Sequence, residues 1–296
     1  MVSLTTKSEL LIRQIVVATD FSPVSRSALD HAIAIAMHYD SKILLVHAVE
    51  AALESRPGHE SEVHTANEFA ANAQQRLAAE AEKCAGIECE WRLLTGKALD
   101  VVEQILALDH TDLIVVGTHG AKRFRKLLIG SAAERIFHHV RCPVLVIGPS
   151  VHTDGKKWNL NRILLATDLQ SDEYRAVEYA TALATDHGAR LALLHVTVPA
   201  GPPYPQDSEL IIAPYFHSRL KELVSYRPPG DYPVETWVEF HNDPAAGILG
   251  VMHRQAIDLL VLSVHPQEPW TSHFRHNAHR IVAEAPCPAL IVQREF

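Results

Sequence analysis

No apolar run in this 296-residue chain approaches the ~18 residues that a membrane-spanning helix needs. The first residues show no basic stretch leading into an apolar core and a cleavage site. Neither a membrane partner nor export is expected, and the chain reads as cytoplasmic. Cysteine is sparse: Cys84, Cys89, Cys142 and Cys287 stand without C-x-x-C spacing, which fits reduced structural thiols better than a disulfide framework or a zinc knot. Positive charge is also short, 27 basic against 35 acidic residues for a net charge of −8. A general nucleic-acid-binding surface is therefore not expected, and any anion site must be local.

What is present is ordinary globular composition, 47% hydrophobic and 21% charged, over a length sufficient for two cores of about 140 residues each. The chain repeats itself. Arg13-Gln-Ile-Val-Val-Ala-Thr-Asp20 returns as Asn161-Arg-Ile-Leu-Leu-Ala-Thr-Asp168, and Leu44-Leu-Val-His47 returns as Ala192-Leu-Leu-His195. Asp112-Leu-Ile-Val-Val116 returns as Asp258-Leu-Leu-Val-Leu262, and Cys142-Pro-Val-Leu as Cys287-Pro-Ala-Leu. Four segments in one order at nearly constant offset mean a tandem duplication. The polar stretch Pro149-Ser-Val-His-Thr-Asp-Gly-Lys-Lys157 reads as the join, giving domains at 1–149 and 160–296 with a linker at 150–159.

Within the first half, β-branched runs near 14–19, 42–49, 88–94, 112–117 and 143–147 alternate with helical patterns near 24–39, 61–84, 97–109 and 131–139. Several of the runs are apolar throughout, as strands are when helices cover both faces. The expected fold is α/β, with two tandem, doubly wound, five-stranded parallel sheets. In the second half Ser208–Ser225 reads as a weaker helix, flanked by Pro202-Pro-Tyr-Pro205 and Pro228-Pro-Gly230, which mark longer loops.

Chemistry is most legible where the run ending at Val116 passes into Gly117-Thr118-His119-Gly120, nine further residues, then Gly130-Ser131 and the helical pattern from Ala132. A strand, glycine loop and helix in this order put backbone N–H groups and the positive end of a helix dipole at the carboxyl edge of a sheet, where a phosphate is attracted. Gly117 and Gly120 would let backbone approach a ligand with no Cβ between. Lys122, Arg123, Arg125 and Lys126 inside the loop either add to that field or are a solvated run.

These residues, with the strand ending in Thr19-Asp20 and the terminal Cys-Pro-apolar strand, resemble the universal stress protein family, in its ATP-binding branch. The resemblance covers nearly the whole chain. It implies a Rossmann-like fold of the adenine nucleotide α-hydrolase kind and ATP at the carboxyl edge of the first sheet, with Mg²⁺ or Mn²⁺ accompanying the phosphates. On that resemblance Ala18, Thr19 and Asp20 end the first strand with Asp20 facing the ribose, and the Ala48 backbone meets the adenine. Gly117, Thr118, His119, Gly120, Gly130, Ser131 and the Ala132 backbone would then hold ribose and phosphates. Each has a plainer reading beside it. Asp20, with Ser22 and Pro23 after it, fits a cap for the next helix, Ser131-Ala-Ala-Glu134 is a capping-box pattern, and His119 fits a solvated loop histidine.

The second half departs from the motif. Asp168 and Val196 keep the places of Asp20 and Ala48, but Ser263 stands for Gly117, Pro266 for Gly120, and Arg275-His276 for Gly130-Ser131. Pro266 has no N–H and a fixed φ, so the phosphate cradle is lost, and the second domain is expected to serve structure or regulation. Nineteen histidines include His253, His265, His273, His276 and His279, yet no cysteine or carboxylate completes a ligand set, so no metal site is assigned. A Walker lysine, a Ser-Gly-Gly pyrophosphatase-type loop and a placed general base are all missing, so no catalytic residue is assigned either. The expectation is an ATP-binding stress-response regulator that acts with a protein partner. A slow metal-dependent ATPase and a nucleotide-independent interaction protein are the alternatives. The final strands Pro143–Ile147 and Pro288–Val292 are expected to pair antiparallel as an intramolecular pseudo-dimer, with association into a homodimer through another face left open.

Overall fold

The computed structural model describes residues 10–49, 60–96, 98–108, 110–118, 140–151, 158–169, 173–199, 208–225, 232–264 and 273–294. The chain divides into two compact units, one spanning Leu11–Trp158 and the other containing Asn159–Phe296. The glycine loop from His119 to Ala132, the predicted helix at 131–139, the proline loops of the second half and His265 lie outside the described residues.

In the first unit the strands are β1 (Gln14–Ala18), β2 (Lys42–Val49), β3 (Cys89–Thr95), β4 (Leu113–Gly117) and β5 (Val144–Ile147). They alternate with helices α1 (Pro23–Tyr39), α2 (Glu60–Ala81) and α3 (Ala98–Leu108), and a short 3₁₀ turn at Glu82–Cys84 follows α2. All pairings are parallel, in the order β3-β2-β1-β4-β5. Leu113 to Val116 and Val144 to Ile147 are buried without a break, so neither face of these strands meets water. α1 follows from local chemistry. Ser22 caps it by accepting Ser25 N–H at 3.1 Å, Pro23 opens it, and Ala28, Leu29, Ala32, Ile35 and Ala36 give it one buried stripe.

The second unit repeats the plan. Its strands β6 (Arg162–Ala166), β7 (Arg190–Thr197), β8 (Val234–Phe240), β9 (Leu259–Val264) and β10 (Ala289–Gln293) pair in parallel in the order β8-β7-β6-β9-β10. Its helices are α4 (Tyr174–His187), α5 (Ser208–Ser225), α6 (Pro244–Gln255) and α7 (His273–Glu284). Small devices recur with the strands. Asp112 Oδ2 accepts the N–H groups of Arg13 and Gln14 at 2.7 and 2.9 Å, and Asp258 Oδ2 does the same for Asn161 and Arg162 at 2.8 and 2.9 Å. The left-handed residue that stops α1 is Asp40, and at the same place after α4 it is Gly188.

Each strand order reverses direction after the first strand of the unit. From β1 the chain winds one way through β2 and β3 and the other way through β4 and β5. In open α/β sheets ligands settle outside the carboxyl ends of the strands at such a switch point, here between β1 and β4.

Candidate functional site

Register brings three predicted positions to that point. Ala18, the last residue of β1, pairs with Val116 on one side and Val46 on the other. Asp20 therefore leaves β1 beside Gly117, the last residue of β4, while Ala48 extends β2 past it and pairs with Leu94 of β3. Thr118 is fully buried, and its N–H is tied to the Ile147 carbonyl at 3.0 Å. His119, Gly120, Gly130, Ser131 and Ala132 fall outside the described residues.

The turn out of β1 is built around Thr19. Its hydroxyl donates to Glu80 Oε2 at 3.2 Å, lies 3.2 Å from Ser25 Oγ, and accepts the Phe21 N–H at 3.0 Å. Glu80 comes from α2 and is itself buried, with Arg26 3.5 Å from its other oxygen. His47 Nδ1 donates to the Thr19 carbonyl at 2.7 Å. Phe21 sits at φ 63°, a left-handed conformation that costs a bulky residue on the order of 1–2 kcal/mol. The bond from its N–H to Thr19, the stacked His47 ring at 4.4 Å and the Arg76 guanidinium 4.1 Å over its ring hold it there. The strain swings the chain so that Ser22, rather than Asp20, caps α1.

Asp20 is consequently only half engaged. Its Oδ1 accepts the Ser22 N–H at 3.0 Å, whereas Oδ2 is buried and has no hydrogen-bond partner among the described residues. A buried carboxylate oxygen left without a donor is costly unless something supplies one. The turn bond to Ser22 thus accounts for one of its oxygens and not the other, and the helix cap itself is Ser22.

Gly117 is bare for a reason the sequence did not suggest. A Cβ there would stand 3.0 Å from the backbone nitrogen of Ser25 and 3.1 Å from the carbonyl carbon of Val24. The close approach is made by the first turn of α1, so packing already favours glycine here.

The second unit preserves this frame. Thr167 N–H bonds the Leu194 carbonyl, its hydroxyl accepts the Leu169 N–H at 2.8 Å, Leu169 sits at φ 60°, and His195 Nδ1 donates to the Thr167 carbonyl at 3.0 Å. Burial lowers the pKa of His195 from the ordinary histidine value, against the opposing pull of that carbonyl and of Asp168. The acid here is not open. Asp168 Oδ1 accepts Arg294 Nη2 at 2.8 Å, and Glu173 bonds both Arg294 and the Thr167 hydroxyl. The histidines were visible in the repeated Val-His47 and Leu-His195 pairs. Glu80, Glu173 and Arg294 carried no local signal.

Metal ligation has no support in the described residues, where no three His, Cys, Asp or Glu side chains converge. Among them, too, no helix is long and apolar enough to cross a membrane.

The profile of the Universal stress protein family matches residues 11–148 and again 159–293. A universal stress protein of Methanocaldococcus jannaschii is 30% identical over 148 residues, 49% of this chain and 87% of its own length. Universal stress protein A homolog 1 of Coxiella burnetii is 31% identical over 147 residues, 46% of this chain and 95% of its own. Among solved structures, that of a universal stress protein from Archaeoglobus fulgidus superposes with a TM-score of 0.66 at 17% identity, covering 95% of this chain and 98% of that one. At that identity the likeness speaks for the fold.

Proposed function

The chain belongs to the universal stress protein family, and on that premise we propose that its first domain is a one-nucleotide sensor that holds ATP at the β1/β4 switch point. The observation that carries this is Asp20 Oδ2, a buried acceptor without a donor among the described residues, at the place where a doubly wound sheet receives a ligand. Ribose hydroxyls are donors of the right chemistry for it. The Gly117 to Ser131 segment has the sequence of a phosphate loop, and the Ala48 backbone at the end of β2 lies within the same edge for the base. Mg²⁺ or Mn²⁺ enters with the phosphates and is held chiefly by them.

Regulation by binding, rather than turnover, is the favoured reading. Asp20 is placed to accept a hydrogen bond from a ligand, and Glu80 and Thr19 at the same edge are committed to each other. ATP turnover should lie far below the ~10 per second of a median enzyme. An adenine-nucleotide affinity in the micromolar range is expected, roughly 7–8 kcal/mol. Asp20→Asn tests the assignment. It keeps Oδ1 as an acceptor for Ser22 N–H but removes the charge from the ligand side, so affinity should fall about 10- to 100-fold, the worth of a hydrogen bond to a charged group. Unchanged ATP affinity in a folded Asp20→Asn chain would remove Asp20 from the site.

A further inference from the structure

The second domain is more than a decayed copy at this edge, because three replacements converge on one group. Counting from the repeated Thr-Asp, Glu173 stands where the first domain has Ser25. Counting from the repeated Asp at the strand start, Ser263 stands for Gly117, and counting from Cys-Pro, Arg294 stands for Pro149. All three new side chains meet. Arg294 keeps its backbone on the sheet, its N–H bonding the Val264 carbonyl at 3.0 Å, and turns its side chain inward until 4% is exposed. Its Nε donates to Ser263 Oγ at 3.1 Å, and its Nη2 donates to Asp168 Oδ1 at 2.8 Å and Glu173 Oε1 at 2.9 Å.

We propose that the carboxyl edge of the second sheet is a guanidinium-binding site, occupied in cis by Arg294 and thereby closed to nucleotide. A planar fork with fixed donors suits acceptors set on three different elements, just past the end of β6, at the N-cap of α4 and near the end of β9, whereas an ammonium is a point charge. Glu173 is 1% exposed and Asp168 27%, so the site adds a buried carboxyl group, where the first domain has Ser25, to the aspartate that both domains share. With Arg294 removed, these groups repel phosphate and attract a cation. The description of the site as closed to nucleotide rests on the reading of Asp20 given above, while the guanidinium site itself stands on the bonds of Arg294.

Chemical rescue in the full chain tests it. Arg294→Ala should lower the melting temperature by on the order of 10 °C, because half-buried Asp168 loses its counter-ion and buried Glu173 and Ser263 lose a hydrogen-bond donor. Methylguanidinium at low millimolar concentration should restore much of that loss, with ethylammonium and sodium chloride at equal ionic strength restoring little and wild type unmoved by any of them. A variant that melts with wild type, or one that methylguanidinium restores no better than ethylammonium, overturns the proposal. Should Arg294→Ala fail to fold in plain buffer, refolding yield is the readout. Recovery with methylguanidinium alone is the expected result, and equal yields with the two cations overturn it. ATP titration of the same samples separates the two readings, since absence of ATP binding in wild type would sink the first-domain site and leave the rescue result standing.

Discussion

Gly117→Ala sets packing against ligand approach. The new Cβ would stand 3.0 Å from Ser25 N and 3.1 Å from both the carbonyl carbon and Cγ1 of Val24. Two of those three neighbours are backbone of a capped helix start, which gives less easily than the end of a long side chain. Overpacking of this kind costs about 1–3 kcal/mol. The backbone at Gly117 is not among the left-handed positions, so alanine meets no φ penalty and recovers ~0.4–1 kcal/mol from the unfolded state. The net loss is between about 0 and 2.6 kcal/mol, ~1.3 kcal/mol at the middle of both ranges, which for a domain near 140 residues lowers the melting temperature by roughly 3–7 °C. Urea or thermal unfolding followed by far-UV circular dichroism measures it, with ATP titration of the same preparation. If Gly117→Ala keeps wild-type stability within about 0.5 kcal/mol and loses ATP binding tenfold or more, the glycine serves the ligand and the packing argument fails.

Other outcomes follow from the same geometry. Burial, reinforced by Asp168 and opposed by Thr167 and Arg294, pushes Glu173 up to about 8, so the folded chain holds a proton that the unfolded chain releases. Stability should therefore fall as pH rises from the ordinary carboxylate range to about 8. His195, lowered by burial, has the opposite slope below the ordinary histidine value, so pH 6.5–8 is the window in which Glu173→Gln should flatten the profile. An unaltered slope there would place the proton elsewhere. Cys89, half-buried and lowered by its contact with Cys84, should react with iodoacetamide at neutral pH well before buried Cys287, which burial pushes up to about 12. Peptide mapping that finds Cys287 labelled first would contradict this. The sequence-based expectation that the final strand of each half pairs with the other is tested by sedimentation of segment 1–149. A dimer suppressed by Val146→Pro is the expected result, and a strict monomer at high micromolar concentration would refute it.

The strands were readable because Ile15–Val17, Ile43–Val46 and Leu113–Val116 are buried on both faces, which leaves apolar runs that need no context. α1 was readable from Ser22-Pro23 and its apolar spacing. The frame of the site was not. Thr19 finds Glu80 61 positions away, and Asp168 finds Arg294 126 positions away, so neither partner leaves a trace in a local window. At Gly117 the structure adds a reason the local sequence did not show. Strand-glycine-helix order suggested room for a phosphate, and the neighbour that claims that room is the first turn of α1, more than 90 positions earlier in the chain.

The asymmetry between Asp20, with one oxygen unpartnered among the described residues, and Asp168, held by Arg294, is the centre of this account. Nucleotide stoichiometry measures it most directly. Equilibrium dialysis of the full chain against ATP and Mg²⁺ should give one ATP per chain, with an affinity unchanged by Asp168→Asn and lowered about 10- to 100-fold by Asp20→Asn. Two equivalent ATP per chain, or one whose affinity is unmoved by Asp20→Asn and falls with Asp168→Asn, would contradict it.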